Sequence, residues 1–116
     1  MLTIYHNPRC SKSRQTLALI EEQKHEVTIV EYLKTPLSIA EIESLMLLLN
    51  VSPKDMMRTK EAEFKEQSLA NADDKTLIAA MAATPKLIER PIVTDNTRAI
   101  IGRPPENVLT LMQADK

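Results

Sequence analysis

The order of elements along this chain predicts an α/β fold: a small four-stranded mixed sheet with a helical insertion between strands 2 and 3. Three observations predict it. Two short apolar runs, residues 2–5 and 27–32, are separated by one helical segment, so they form parallel strands joined by a right-handed crossover. The middle of the chain repeats apolar residues at helical spacing. Residues 91–94 and 98–101 are short strand-like runs on either side of Asp95-Asn96, and read as a hairpin.

The first run contains Thr3, Ile4 and Tyr5 and stops at Asn7-Pro8, a loop signal. Ser11 or Ser13 is a candidate cap for the helix that follows, which runs to about Gln23. The second run is rich in β-branched residues, as a strand should be. Pro36 breaks the chain. Ser38 then stands three residues before Glu41, the spacing of a capping box. Ile39, Ile42, Leu45, Met46 and Leu49 form the apolar face of that helix, and Asn50 and Pro53 close it. A short helical stretch is expected around residues 61–66. Residues 71–74 cap another helix, which carries Leu77, Ile78 and Met81 before Pro85. These Met and Leu stripes are core. Gly102, the sole glycine, ends the hairpin and marks either a positive φ or a close approach of backbone. Pro104 and Pro105 suit the first turn of a last helix, with Val108, Leu109, Leu111 and Met112 as its apolar face.

The summed pattern, β-α-β, several helices, then β-β-α, is the element order of a thioredoxin-like fold, here one domain over residues 1–116. In that fold a reactive cysteine lies just after the first strand, and a proline before the third strand faces it, usually after a cis peptide bond. The corresponding bond is Arg90-Pro91, and its cis form is expected from fold analogy.

Composition narrows the function classes. A formal net charge of -1 is no electrostatic match for nucleic acid, and three aromatics (Tyr5, Tyr32, Phe64) are too few for base stacking. One cysteine excludes an internal disulfide, a cysteine-based zinc site and a self-contained dithiol cycle. No stretch is long and apolar enough to span a membrane. No basic region followed by a long apolar run suggests a secretory leader. A free thiol fits a reducing compartment, so the cytoplasm is the expected location. Nothing signals an oligomer, and a monomer is expected. With no ligand cluster and no Gly-rich phosphate loop, no bound metal or nucleotide cofactor is expected.

The one cysteine, Cys10, sits in the turn between the first strand and the first helix. A lone cysteine is by itself more often a small buried hydrophobe. Here its neighbours are polar and cationic: His6, Arg9, Lys12 and Arg14. A helix N-terminus carries partial positive charge and free N–H groups, which favour thiolate over thiol and suit an anionic substrate.

The run His6-Asn7-Pro8-Arg9-Cys10-Ser11-Lys12-Ser13-Arg14 resembles the active-site motif of glutaredoxin-coupled, ArsC-type arsenate reductases. Three later segments resemble that family in the same order: Met57-Arg58-Thr59-Lys60-Glu61, then the segment 87–93, then Gly102-Arg103-Pro104-Pro105-Glu106. The resemblance implies Cys10 as nucleophile and Arg58, Arg90 and Arg103 as oxyanion-binding arginines. It implies that His6 helps keep Cys10 ionised, that Ser13 is a hydroxyl donor near the thiolate, and that Pro91 is the cis proline. A tetrahedral oxyanion suits arginine, whose planar, permanently charged fork binds two oxygens at once.

The resemblance further implies that the Cys10 thiolate attacks arsenate to form a covalent arsenic adduct. Glutathione then attacks the adduct as the external thiol reductant, glutaredoxin supplies further reducing equivalents, and arsenite leaves. The lone cysteine agrees with this, because the chain cannot resolve an adduct internally. The phosphatase-like arsenate reductases use Cys-x5-Arg, whereas the sixth residue after Cys10 is Thr16. Two rivals share the fold. One is a one-thiol oxidoreductase acting on another oxyanion or on glutathione mixed disulfides. The other is an Spx-like regulator that binds RNA polymerase; such regulators carry Cys-x-x-Cys where this chain has Ser13.

Overall fold

The computed structural model describes residues 2–95 and 97–113. The strands are β1 (Leu2–Tyr5), β2 (Val27–Val30), β3 (Ile92–Thr94) and β4 (Ala99–Ile101). The helices are α1 (Ser11–Glu22), α2 (Ile39–Leu49), α3 (Ala62–Glu66), α4 (Asp74–Ala83) and α5 (Asn107–Gln113). Short 3₁₀ turns at Pro53–Met56 and Leu69–Asn71 link the inserted helices, and a third, Pro85–Leu87, follows α4 on the way to β3. The chain divides into a sheet unit, Met1–Thr35 with Arg90–Lys116, and a helical unit, Pro36–Glu89.

In the sheet unit the strand order is β2-β1-β3-β4. β1 runs parallel to β2, with Leu2 opposite Val27 and Tyr5 opposite Val30. It runs antiparallel to β3, with Ile4 opposite Val93, and β3 pairs antiparallel with β4. This is the expected mixed sheet. Leu2 and Ile4 of β1, Val93 of β3, Ile20 of α1, and Val108 and Leu111 of α5 form one buried cluster. Burial of side chains of this size contributes roughly 1.5–3 kcal/mol each. The cluster holds α1 against the strand that leads into Cys10.

β2 is shorter than the run 27–32 expected for it. β1 leaves the ladder after Tyr5, where His6 N–H donates to the Val30 carbonyl at 2.8 Å. Beyond that point the β1–β2 ladder stops, and the chain turns through Glu31, whose carbonyl accepts from Lys34 and Thr35 N–H. At the hairpin, Asp95 accepts from the N–H groups of Thr97 and Arg98, at 3.0 and 2.8 Å. Asn96, the other residue of the expected turn, lies outside the described residues. Arg98 bonds the Asp95 carboxylate at 3.2 Å and the Leu111 carbonyl at 3.1 Å, which ties the hairpin to α5. α5 starts at Asn107, later than the prolines suggest. Pro104 and Pro105 instead form the turn before it, accepting from Asn107 and Val108 N–H. The Met112 side chain lies outside those described.

In the helical unit α2 has the capping box expected of Ser38 and Glu41: Glu41 N–H donates to Ser38 Oγ at 3.1 Å, and Ser38 N–H to Glu41 Oε1 at 3.0 Å. Asn50 ends the helix in the left-handed region, at φ 57. Asp73 caps α4 through the Thr76 N–H at 2.9 Å. α2 packs on α4, and Ile42, Leu45, Leu77, Ile78 and Met81 are buried.

Burial raises the Asp95 carboxyl, but donors from Thr97 and Arg98 outweigh it and hold the group down at about 2. A carboxyl lowered in the folded state contributes stability above its unfolded value of about 3.9, and that contribution is lost as pH falls toward 2. Asp95→Asn should therefore lower the melting temperature at pH 7 and flatten its decline between about pH 4 and pH 2. Thermal melts across that range read the difference.

Candidate active site

Cys10 occupies the N-cap of α1, a place the sequence suggested for Ser11 or Ser13. Its backbone is extended, φ −94 and ψ 123, and its carbonyl takes the first helical bond from Arg14 N–H at 3.0 Å. The loop that brings it there is short and internally tied. Cys10 N–H donates to the Asn7 carbonyl and Arg9 N–H to Asn7 Oδ1, both at 3.0 Å. The side chain of an N-cap residue faces the free N–H groups of the second and third helical residues. Here that side chain is a thiol, and the residues are Lys12 and Ser13.

Partial burial works to raise the Cys10 thiol. The Ser13 N–H, the Arg90 side chain as donor and as charge, and the Lys12 N–H together outweigh it, so the thiol lies below its ordinary range. No tight cap hydrogen bond closes on Sγ; the helix N–H groups act on it electrostatically. Cys10 is half-buried, so it is both shielded and reachable.

Ser13 is fully buried and acts on the thiol through its backbone. Its hydroxyl lies 2.6 Å from His6 Nδ1 and accepts from Asn7 N–H at 3.0 Å. The hydroxyl contacts are therefore to His6 and Asn7. Burial and Arg14 lower His6 against the opposing pull of Glu31, burial being the largest influence. His6 is accordingly neutral near pH 7. In the Nε2–H tautomer its Nδ1 accepts the Ser13 hydroxyl proton. His6 thus braces the loop around Cys10 without supplying positive charge. Asn7, a loop signal in the sequence and part of the resembling run but given no role of its own, is tied to both ends of this turn.

Arg90 precedes Pro91, and the Arg90-Pro91 peptide is cis as expected; Arg103-Pro104 is a second cis bond that the sequence did not suggest. Arg90 Nε is buried and has no hydrogen-bond partner among the described residues. Arg103 is exposed, and its Nη1 donates to the Arg90 carbonyl at 3.4 Å. The sheet unit therefore gathers Cys10, His6, Ser13, Arg90, Pro91 and Arg103. Arg58 belongs to the helical unit. There Arg58 N–H donates to the Leu87 carbonyl at 2.7 Å and Glu89 N–H to the Met56 carbonyl at 2.8 Å, around an isolated Met57–Ile88 bridge. This brings Arg58 beside Glu89, at 3.8 Å, and it also pairs with Glu61. Neither carboxylate partner was legible in the sequence. Among the described residues no group of His, Cys, Asp or Glu is arranged to hold a metal ion, and no helix is long and apolar enough to cross a membrane.

A thioredoxin-like sheet whose first helix is capped by a single activated thiol, with arginine at the sulfur, defines a one-cysteine site able to receive an anion. Comparison with known proteins narrows this class. The family model described as the ArsC family matches residues 5–111. An uncharacterised Escherichia coli K12 protein, YfgD, is 49% identical over 112 residues, covering 94% of each chain. An arsenate reductase of Neisseria meningitidis serogroup A is 44% identical over 110 residues, covering 92% of this chain and 94% of its own. The solved structure of an arsenate reductase from Vibrio cholerae superposes with a TM-score of 0.91 at 49% identity, covering 94% of this chain and 95% of its own. The chain belongs to the ArsC family.

The geometry predicts that Cys10 ionises below the free-thiol value of about 8.5. Iodoacetamide alkylation rates followed against pH should show that lowered midpoint. Arg90→Gln should move the midpoint up while the fold persists. A midpoint equal to that of a free thiol would remove thiol activation from the account.

Proposed function

We propose that this protein reduces arsenate to arsenite with glutathione and glutaredoxin, through a covalent Cys10–arsenic adduct. The observation that carries the reading is a lone thiol at a helix N-cap, lowered toward thiolate beside Arg90, in a chain of the ArsC family. Relatives named arsenate reductase, at 44% identity over most of their length, support the substrate.

The chemistry follows from the residues. The thiolate attacks arsenic, an S–As bond forms, and one As–O bond breaks, its oxygen leaving as water after protonation. No electron changes hands in that step. Arg90 and Arg103 offset the charge of the oxyanion, and Arg58 is the third arginine of the proposal. Glutathione then adds at arsenic and displaces a second oxygen as water. A glutaredoxin thiol attacks the glutathione sulfur, forming a disulfide and leaving an electron pair on arsenic, which passes from As(V) to As(III). Hydrolysis of the remaining S–As bond releases arsenite and restores Cys10. Two external thiols are required because the chain has no second cysteine. No bound cofactor enters the scheme. A free nucleophilic thiol and thiol donors fit a reducing compartment, and the reading puts a monomer in the cytoplasm.

Arsenate-dependent NADPH oxidation, coupled through glutathione reductase with glutathione and glutaredoxin, tests this. Cys10→Ser should abolish turnover in a folded protein. Turnover retained by Cys10→Ser, or absent from wild type, would reject the reading.

Arg58→Lys, Arg90→Lys and Arg103→Lys keep the charge but lose the fork. Loss of one oxyanion donor costs on the order of 100-fold in other enzymes. Each variant should raise the KM for arsenate or lower kcat by about 10-fold or more, within that range. A lysine variant with wild-type kinetics would remove its arginine from the site.

A further inference from the structure

Gly102 is buried, and its φ is not in the positive region, so close approach is the reason for this glycine. A Cβ placed on it would lie 2.7 Å from Thr16 Oγ1, 3.1 Å from Thr16 Cγ2 and 2.9 Å from Pro91 Cγ. None of these neighbours can yield cheaply. Thr16 is fully buried, β-branched and pinned: its hydroxyl donates to the Lys12 carbonyl at 2.8 Å and faces the Gly102 carbonyl at 3.4 Å. Pro91 is a ring locked to the backbone, and its carbonyl accepts Gly102 N–H at 2.8 Å.

Each contact leads to the thiol. Thr16 holds Lys12, in the turn of α1 that faces Cys10. Pro91 follows Arg90, the guanidinium partner of Cys10. Gly102 precedes Arg103, which bonds the Arg90 carbonyl. We propose that Thr16 and Gly102 are positioning residues, and that the contact of the Thr16 side chain with the bare Gly102 backbone sets the spacing between the N-terminus of α1 and the Arg90–Pro91 segment. A methyl group at residue 102 wedges these apart and moves Arg90 away from the sulfur. The inference rests on Cys10 being the reactive thiol of the proposed function, but its first readout needs no arsenate.

The test compares wild type, Gly102→Ala, Thr16→Ala and the double variant by melting temperature, by the pH midpoint of Cys10 alkylation, and by arsenate turnover. Gly102→Ala should raise the midpoint by about one pH unit, roughly a tenfold loss of thiolate below it. The double variant, with space restored on the Thr16 side, should lie nearer wild type than Gly102→Ala does. If Gly102→Ala melts earlier but keeps the wild-type midpoint, its role is packing alone and the inference falls. If Gly102→Ala does not fold, Thr16→Ala decides: a raised midpoint supports the pairing, and an unchanged one overturns it. Shifted midpoints in a protein that never turns over arsenate would reject the proposed substrate while leaving the positioning pair intact.

Discussion

The first turn of α1 begins at a thiol, and the rest of the site depends on that placement. An N-cap side chain faces free N–H groups that water or an acceptor must satisfy. Serine or aspartate would satisfy them with oxygen and be inert. Cysteine there meets the same partial charges, and they stabilise the anion that makes sulfur nucleophilic. Partial burial opposes ionisation, so the balance depends on how firmly Lys12, Ser13 and Arg90 are held. Helix formation and thiol activation are in this sense the same event.

The sheet unit supplies the firmness. β1, paired on both sides, is its central strand together with β3, and it carries the chain to His6 in fixed register. The Asn7 and Ser13 contacts then close the loop from both ends. β3 sits next to β1 and begins just after Arg90 and Pro91, so antiparallel pairing is what brings the guanidinium to the cysteine. Gly102, at the end of β4, lets α1 and Pro91 approach closely. A four-stranded sheet thus converts distant sequence positions, 10, 90 and 103, into neighbours or near neighbours.

Local chemistry made much of this legible. The capping box at Ser38, the stop at Asn50, the cap before α4 and the hairpin all follow from short-range rules, and all appear where the sequence put them. Cys10 and Arg90 were legible through motif and fold resemblance. Other features depend on tertiary neighbours and carry no local signal. β2 ends early because β1 departs, an event set by Asn7-Pro8 some twenty residues before it in the chain. The neutral state of His6 comes from burial and Arg14, and sequence shows only that His6 is near cations. Ser13 looked like a hydroxyl donor to sulfur, but its hydroxyl turns to His6 and its backbone faces Cys10. Gly102 had two readings, and only the position of Thr16 and Pro91 decides for close approach. Glu89 comes to Arg58 through an isolated bridge that no pattern announces, whereas Glu61 reaches it across a local turn.

The central claim is that Cys10 sulfur bonds directly to arsenic during turnover. Rapid quench of a single turnover, with arsenate but limiting reductant, followed by mass spectrometry of the Cys10 peptide, tests it most directly. The account predicts an arsenic-bearing peptide that forms before arsenite and disappears when glutathione and glutaredoxin are added. Arsenite released while the Cys10 peptide stays unmodified at every time point would contradict it.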